Sequence, residues 1–346
     1  GGTINVNSKG YQRSAGPGQG IDAAWAGGAG YGGDGGSGGG AAGGSAYGSI
    51  TAPTDIGSGG GDYQGTGGIG GGAVKLTVTG TTTIAGTISV NGGNGGNASG
   101  GGSGGSVYIT TGTLAGAGTI IANGGAGSGT SGGGGGGRIA VHYTTDSSSV
   151  AYQAHGGLTG SALRMGGAGT IYTKAAAQAN GDLLIDNNDY DSLNDTYLGR
   201  TPINETIIFD TVTIQNYGNL ETGSSTNITY TTLDWSTKGT ITDNGGTFDL
   251  LSGGGALVVP ATSRLYAYTS RTNSSCIVDG YMKARQAITT TGDFSIGAVG
   301  ILTHEINTTT QQYIIDITAA NFTIASGGAI NVNEKGYQQS EGPGAG

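Results

Sequence analysis

Residues 1–20 read GGTINVNSKGYQRSAGPGQG and residues 327–346 read GGAINVNEKGYQQSEGPGAG, fifteen identities in twenty positions at an offset of 326. The five differences (Thr3/Ala329, Ser8/Glu334, Arg13/Gln339, Ala15/Glu341, Gln19/Ala345) mark diverged copies of one segment. A sequence that restarts its own beginning is built like one unit of an array, and long-period self-similarity belongs to repeat architectures. The first expectation is a segment of a tandem-repeat fibre or surface protein, not a free-standing enzyme.

A shorter period runs inside the first half. AVKLTV (73–78), SVYIT (106–110) and RIAVHY (138–143) are strand signals 33 and 32 residues apart, and GTISVNGG (86–93) aligns with GTIIANGG (118–125) at 32. The opening GTINVN belongs to the same class. Each coil thus reads as a strand, a short strand, G-T-I-x-(V/A)-N, and a loop of nearly pure glycine. Alternation of Ile, Val and Leu with Thr and Ser fits strands with one buried face. The second half trades glycine for Thr, Ile, Asn and Asp, with short β segments such as DLLID (182–186), RLYAY (264–268) and AINVN (329–333). No segment sustains a helical period. The expected fold is all-β: a right-handed parallel β-helix or β-solenoid with glycine-rich loops packed as polyproline-II-like bundles. Three segments are expected: 1–170, a glycine-rich solenoid with its loop bundle; 171–326, a Thr/Ile/Asn-rich β-helix; and 327–346, the start of the next repeat.

Of the 79 glycines, 59 fall in residues 1–170. They follow no strict every-third pattern and only five prolines accompany them, which excludes collagen. A nucleotide-binding glycine loop would need a helix after it, and none is expected. Glycine tracts lying side by side can instead bond backbone to backbone, because the missing side chains permit close approach. The formal net charge of −9 and the scarcity of Lys and Arg argue against nucleic acid as a partner. No apolar run approaches the roughly 20 residues that a membrane helix needs. The single cysteine, Cys276, cannot close an internal disulfide, and a stacked repeat core needs none.

GGSGGSVYITTGTLAGAGTIIANGGAGSGTSGGGGGGRIAVHY (104–143), GDLLIDNNDY (181–190) and the segment 302–346 resemble stretches of giant, glycine-rich, secreted bacterial surface proteins with parallel β-helix repeats. The resemblance covers most of the chain. It implies an extracellular or cell-surface location and an adhesive or scaffolding role, and it brings no catalytic residues with it. The expected partners are neighbouring copies of the same repeat, with glycans as a second class.

Parallel β-helices also carry polysaccharide lyases and hydrolases, which need carboxylates facing across a groove. Asp34, Asp55 and Asp62 share one glycine-rich tract, and His155-Gly156-Gly157 is the nearest approach to a histidine loop. No paired Asp-Asp motif accompanies them, so solvated loop carboxylates are the better account and no enzyme is expected. DNNDYDSLND (186–195) sets Asp186, Asp189, Asp191 and Asp195 at spacings that suit calcium, the one cofactor with a candidate site. It lacks the central glycine and terminal Glu of a known calcium loop, and Asn and Asp also favour tight turns. Seven sequons, at Asn97, Asn194, Asn204, Asn227, Asn273, Asn307 and Asn321, are candidate glycosylation sites. Tyr31, Tyr47 and Tyr63 recur every 16 residues and, with Tyr11 and Tyr337, are the candidate interface residues; Tyr pairs apolar area with a polar tip. Packing within the same chain is the competing use for them.

Overall fold

The computed structural model describes residues 1–159, 164–191, 199–224, 226–250 and 255–343. Every regular element among them is a β-strand. Among the described residues no helix is long and apolar enough to cross a membrane. The chain forms two compact units, residues 1–202 with 208–220, and residues 203–207 with 221–346.

In the first unit the strands are β1 (Thr3–Asn5), β2 (Ala73–Thr83), β3 (Thr87–Ser89), β4 (Ser106–Ala115), β5 (Thr119–Ile121), β6 (Arg138–Asp146), β7 (Ala151–Gln153), β8 (Thr170–Ala175) and β9 (Gly181–Asp186). β10 (Thr201–Ile203), β11 (Ile207–Gln215) and β12 (Asn219–Thr222) follow around the sequence boundary between the units. Each strand from β1 to β6 pairs in parallel with the strand two places on, giving the orders β1-β3-β5-β7 and β2-β4-β6-β8. The register runs Ile4↔Ile88↔Ile120 along one sheet and Val107↔Ile139↔Ile171 along the other. The 32-residue period in the sequence is therefore the step from one strand to its parallel partner. Alternate residues of these strands, Ile88, Ile120, Val107, Ile109, Ile139 and Val141, meet in one apolar cluster, as the pleat requires. The run of parallel pairs ends where β9 meets β8 antiparallel, with Ile171 opposite Leu184.

The glycine tracts occupy the connections. Gly132 to Gly137 donate in turn to the carbonyls of Ala26, Arg164, Gly125, Ala29, Gly167 and Ala122, at 2.7–3.0 Å. Successive N–H groups thus address three neighbouring tracts in rotation, a period of three residues. Residues 100–105 repeat the pattern: Gly100 and Ser103 donate to Gly61 and Ser58, Gly101 and Gly104 to Gly132 and Gly135, Gly102 and Gly105 to Gly93 and Val90. Tracts 91–105 and 124–137 lie side by side, with Gly125 donating to Gly102 at 2.8 Å. A Cβ built on Gly134 would stand 2.0 Å from the Gly102 oxygen, and one on Gly133 2.0 Å from the Gly157 oxygen. Each bond contributes about 1 kcal/mol net against roughly 1–2 kcal/mol of backbone entropy per ordered residue, so the bundle holds only as a cooperative whole.

The second unit contains β13 (Asn227–Asp234), β14 (Thr240–Asp243), β15 (Thr247–Leu250), β16 (Leu257–Val259), β17 (Arg264–Ala267), β18 (Arg271–Asn273), β19 (Cys276–Val278), β20 (Tyr281–Ala284), β21 (Ile288–Thr290), β22 (Phe294–Ile296), β23 (Ile301–His304), β24 (Ile317–Thr318), β25 (Phe322–Ile324) and β26 (Ala329–Ile330). Here β13 pairs in parallel with β15, and the other strands pair in parallel with the one three places on, giving β14-β17-β20-β23-β26, β16-β19-β22-β25 and β18-β21-β24. Matched rows fill the interior: Leu265↔Met282↔Leu302 and Val259↔Val278↔Ile296, all close to fully buried. Cys276 lies in the same core opposite Phe294, and Phe294 stacks on Phe322 at 5.7 Å.

Candidate functional site

The asparagine that closes each G-T-I-x-(V/A)-N motif stands where strand gives way to glycine tract. Asn7 Oδ1 accepts the Asn91 N–H at 2.7 Å, Asn91 Oδ1 the Asn123 N–H at 2.8 Å, and Asn123 Oδ1 the His155 N–H at 2.8 Å. These side chains form a ladder that fixes each tract over the next. Asn94 serves a second rung, accepting from Ala126 at 2.8 Å, and Asn187 Oδ1 takes the Gly156 N–H at 2.9 Å. The ladder was open to discovery in the sequence, because Asn91 and Asn123 share the 32-residue period; its role was not.

The candidate tyrosines divide. Tyr31 is fully buried, its ring 4.7 Å from that of Tyr47, with the buried Arg138 guanidinium 5.8 Å from it. Arg138 also donates to the Tyr47 carbonyl at 2.9 Å and to Thr170 Oγ1 at 3.0 Å. Tyr47 donates its hydroxyl to the Ile56 carbonyl and accepts from Ser58 Oγ at 2.9 Å. Burial pushes the Tyr31 phenol up to about 12 and raises Tyr47 as well. Tyr31 is thus closed to any neighbour and serves its own chain, whereas Tyr11, Tyr63 and Tyr337 are exposed.

Asp186 ends β9, and its Oδ1 accepts the Asn188 N–H at 2.7 Å. Its Oδ2 accepts from Gln215 Nε2 at 2.8 Å and Asn216 Nδ2 at 3.1 Å. Asn188 and Asp189 take left-handed backbone angles, φ 54° and 59°, the geometry of a tight turn. Asp191 is half-buried just beyond it, and Asp195 and Asn194 lie outside the described residues. Among the described residues no group of three or more His, Cys, Asp or Glu side chains is placed to hold a metal ion.

Of the other sequon asparagines, Asn97, Asn204, Asn227 and Asn321 are exposed and Asn273 is half-buried. Asn307 is buried: its Nδ2 donates to the carbonyls of Tyr313 and Lys335, and its Oδ1 accepts from Gln312 and Tyr313. It braces a loop and has no side-chain nitrogen open to a sugar. Two of the three carboxylates weighed for catalysis, Asp34 and Asp62, cap backbone N–H groups. Asp34 accepts from the Ala46 N–H at 2.7 Å; Asp62 accepts from the Gly67 N–H and pairs with Arg13 at 3.2 Å. Burial lowers the His155 pKa, and its ring lies edge-on to Tyr190.

The second unit carries a cavity of about 270 Å³ walled by Tyr230, Trp235, Phe248 and Leu265, with Arg271 and Asn273 at its polar side. Arg271 is already paired there with Asp243, by Nε at 3.0 Å and Nη2 at 2.9 Å. The chain matches no protein-family model, no curated protein and no solved structure.

Proposed function

We propose that the chain is a non-catalytic structural unit of an extracellular filament or giant cell-surface fibre, a right-handed parallel β-solenoid braced by a bundle of polyproline-II-like glycine helices. The observation that carries this reading is the rotation of glycine N–H groups through three neighbours, which is the bonding that a three-residue helix makes in a packed array. Such a bundle spends glycine on cohesion and leaves few reactive groups. Parallel pairing two or three strands apart supports the coil, and the right-handed sense follows from the strong preference of parallel crossovers. The repeated ends support growth by one interface applied again and again, which generates a filament. The partners are then neighbouring copies of the unit. Immunogold labelling with antibodies against this chain should decorate filaments outside the cell at a regular interval. Label confined to the cell interior would overturn the reading.

A glycan-binding stalk is the second reading, favoured by the aromatic cavity around Tyr230, Trp235 and Phe248. Aromatic faces against sugar rings are a recurrent means of holding glycans. Quenching or enhancement of Trp235 fluorescence by an oligosaccharide, lost in Trp235→Leu, would favour it.

A further inference from the structure

We infer that residues 327–343 are one half of a joint whose other half is the layer formed by residues 57–91 of a further copy of this sequence. The inference rests on the array reading and names the residues that join one unit to the next. Its template is internal, because the chain holds the same segment twice, once covered and once bare.

At the N-terminal copy, the covering bonds are specific. Val6, Ser8, Gly10, Tyr11 and Ser14 donate their N–H groups to the carbonyls of Ser89, Asn91, Gly70, Gly57 and Gly60, at 2.7–3.0 Å. Their counterparts at the offset of 326 are Val332, Glu334, Gly336, Tyr337 and Ser340. Among the described residues none of these five N–H groups has a backbone acceptor. The other edge of the C-terminal copy is used: Ala329 and Asn331 donate to Gly300 and Leu302. One copy therefore shows the joint's near side and the other its far side.

The two copies already share one conformation. Left-handed residues recur in register, Ser8 with Glu334 (φ 52° and 58°), Ser14 with Ser340 (51° and 63°), and Gly16 with Gly342 (103° and 88°). Asn7 and Asn333 each donate their N–H to the side chain two residues before, Asn5 and Asn331. No reshaping is needed for 327–343 to accept what 1–17 accepts.

The glycines give an independent sign. A Cβ on Gly10 would stand 2.4 Å from both the Gly57 and Gly71 oxygens, so only glycine fits. Its counterpart Gly336 has nothing within 4 Å and no left-handed angle, so nothing in its own surroundings demands glycine. The reverse holds at the other end: Gly2 has nothing within 4 Å, while its counterpart Gly328 would meet the Gly297 oxygen at 2.4 Å. Each bare glycine has the reason for its identity in the copy that is absent. Val332 is correspondingly exposed where its counterpart Val6 is half-buried against the core, and Ile330 borders an open apolar hollow with Ile315, Ile317 and Phe322.

The register follows by transfer: Ala329, Ile330 and Asn331 pair in parallel with Thr87, Ile88 and Ser89 of the further copy, and Asn333 Oδ1 accepts from its Asn91. To test this, the present chain is compared by amide hydrogen exchange with a tandem chain in which residues 1–346 run directly into residues 21–346. In the tandem, the amides of Val332, Glu334, Gly336, Tyr337 and Ser340 should exchange about tenfold or more slowly than in the single chain, since they gain buried partners. Gly336→Val should cancel that slowing and lower the tandem's melting temperature while leaving the single chain's unchanged; Gly10→Val should destabilise the single chain. Equal exchange rates in both chains, or a Gly336→Val cost as large in the single chain as in the tandem, would overturn the joint. Extracellular fibres whose units meet elsewhere would refute the joint alone, and a protected joint in a protein found only inside cells would refute the fibre alone.

Discussion

At the scale of single residues, glycine is used here for what its absent side chain lets the backbone do. Gly134 and Gly80 make the contrast testable. A methyl on Gly134 would press on the Gly102 carbonyl, whereas one on Gly80 meets nothing within 4 Å. Gly134→Ala should cost about 1–3 kcal/mol in denaturant unfolding, the usual range for overpacking. Gly80→Ala should be neutral or stabilise by roughly 0.5–1 kcal/mol, by restricting the unfolded chain. Equal costs at the two positions would refute the packing account. Tyrosine titration supplies a second check. Burial raises Tyr31 to about 12, and Tyr47 and Tyr152 also lie above their ordinary value of 10. Above pH 10 the unfolded chain loses those protons while the folded chain keeps them, so unfolding becomes easier as pH rises. The tyrosine contribution to stability should therefore be constant below about pH 10 and fall between about 10 and 12, with the buried phenols ionising, by absorbance, only as the fold is lost.

At the scale of elements, the asparagine ladder and the second unit's core rows hold successive strands in register. Asn91→Ala removes the acceptor of the Asn123 N–H, and leaving a half-buried donor unpaired should cost about 1–2 kcal/mol in thermal or chemical unfolding. Cys276 sits in a core row opposite Phe294, and burial pushes its thiol up to about 12. It should ignore thiol reagents in the native protein and react once denatured; rapid native labelling would show that the row is open. DLLID and RLYAY were legible as strands without any repeat, but strand pairing was legible only where residues recur. AVKLTV, SVYIT and RIAVHY share a spacing because they are successive members of one parallel sheet. The antiparallel turn from β8 to β9 carried no such mark, since nothing repeats across it. The second unit's three-strand order was equally hidden: the steps from Arg264 to Tyr281, Ile301 and Ala329 differ in length, so no period emerges. Asp186 was weighed as a calcium ligand because carboxylate spacing is visible in sequence, whereas the amides of Gln215 and Asn216 that occupy it come from far along the chain. Asn307 matched a sequon, yet its partners Tyr313 and Lys335 depend on how its loop folds back.

At the scale of the whole molecule, the restart at residue 327 was legible from sequence alone, and its counterpart bonds in the first copy give that restart a physical content. The preformed donors of residues 332–340, matched to those that residues 6–14 already use, suit the proposed growth by repetition of a single joint. The account makes strands lie across the fibre and coils succeed one another along it, with neighbouring strands about 4.8 Å apart. The direct measurement is X-ray fibre diffraction from aligned filaments of the native array. The expected result is a strong reflection at about 4.8 Å on the meridian, along the fibre axis. The same spacing on the equator, with strands running along the fibre, would contradict the account.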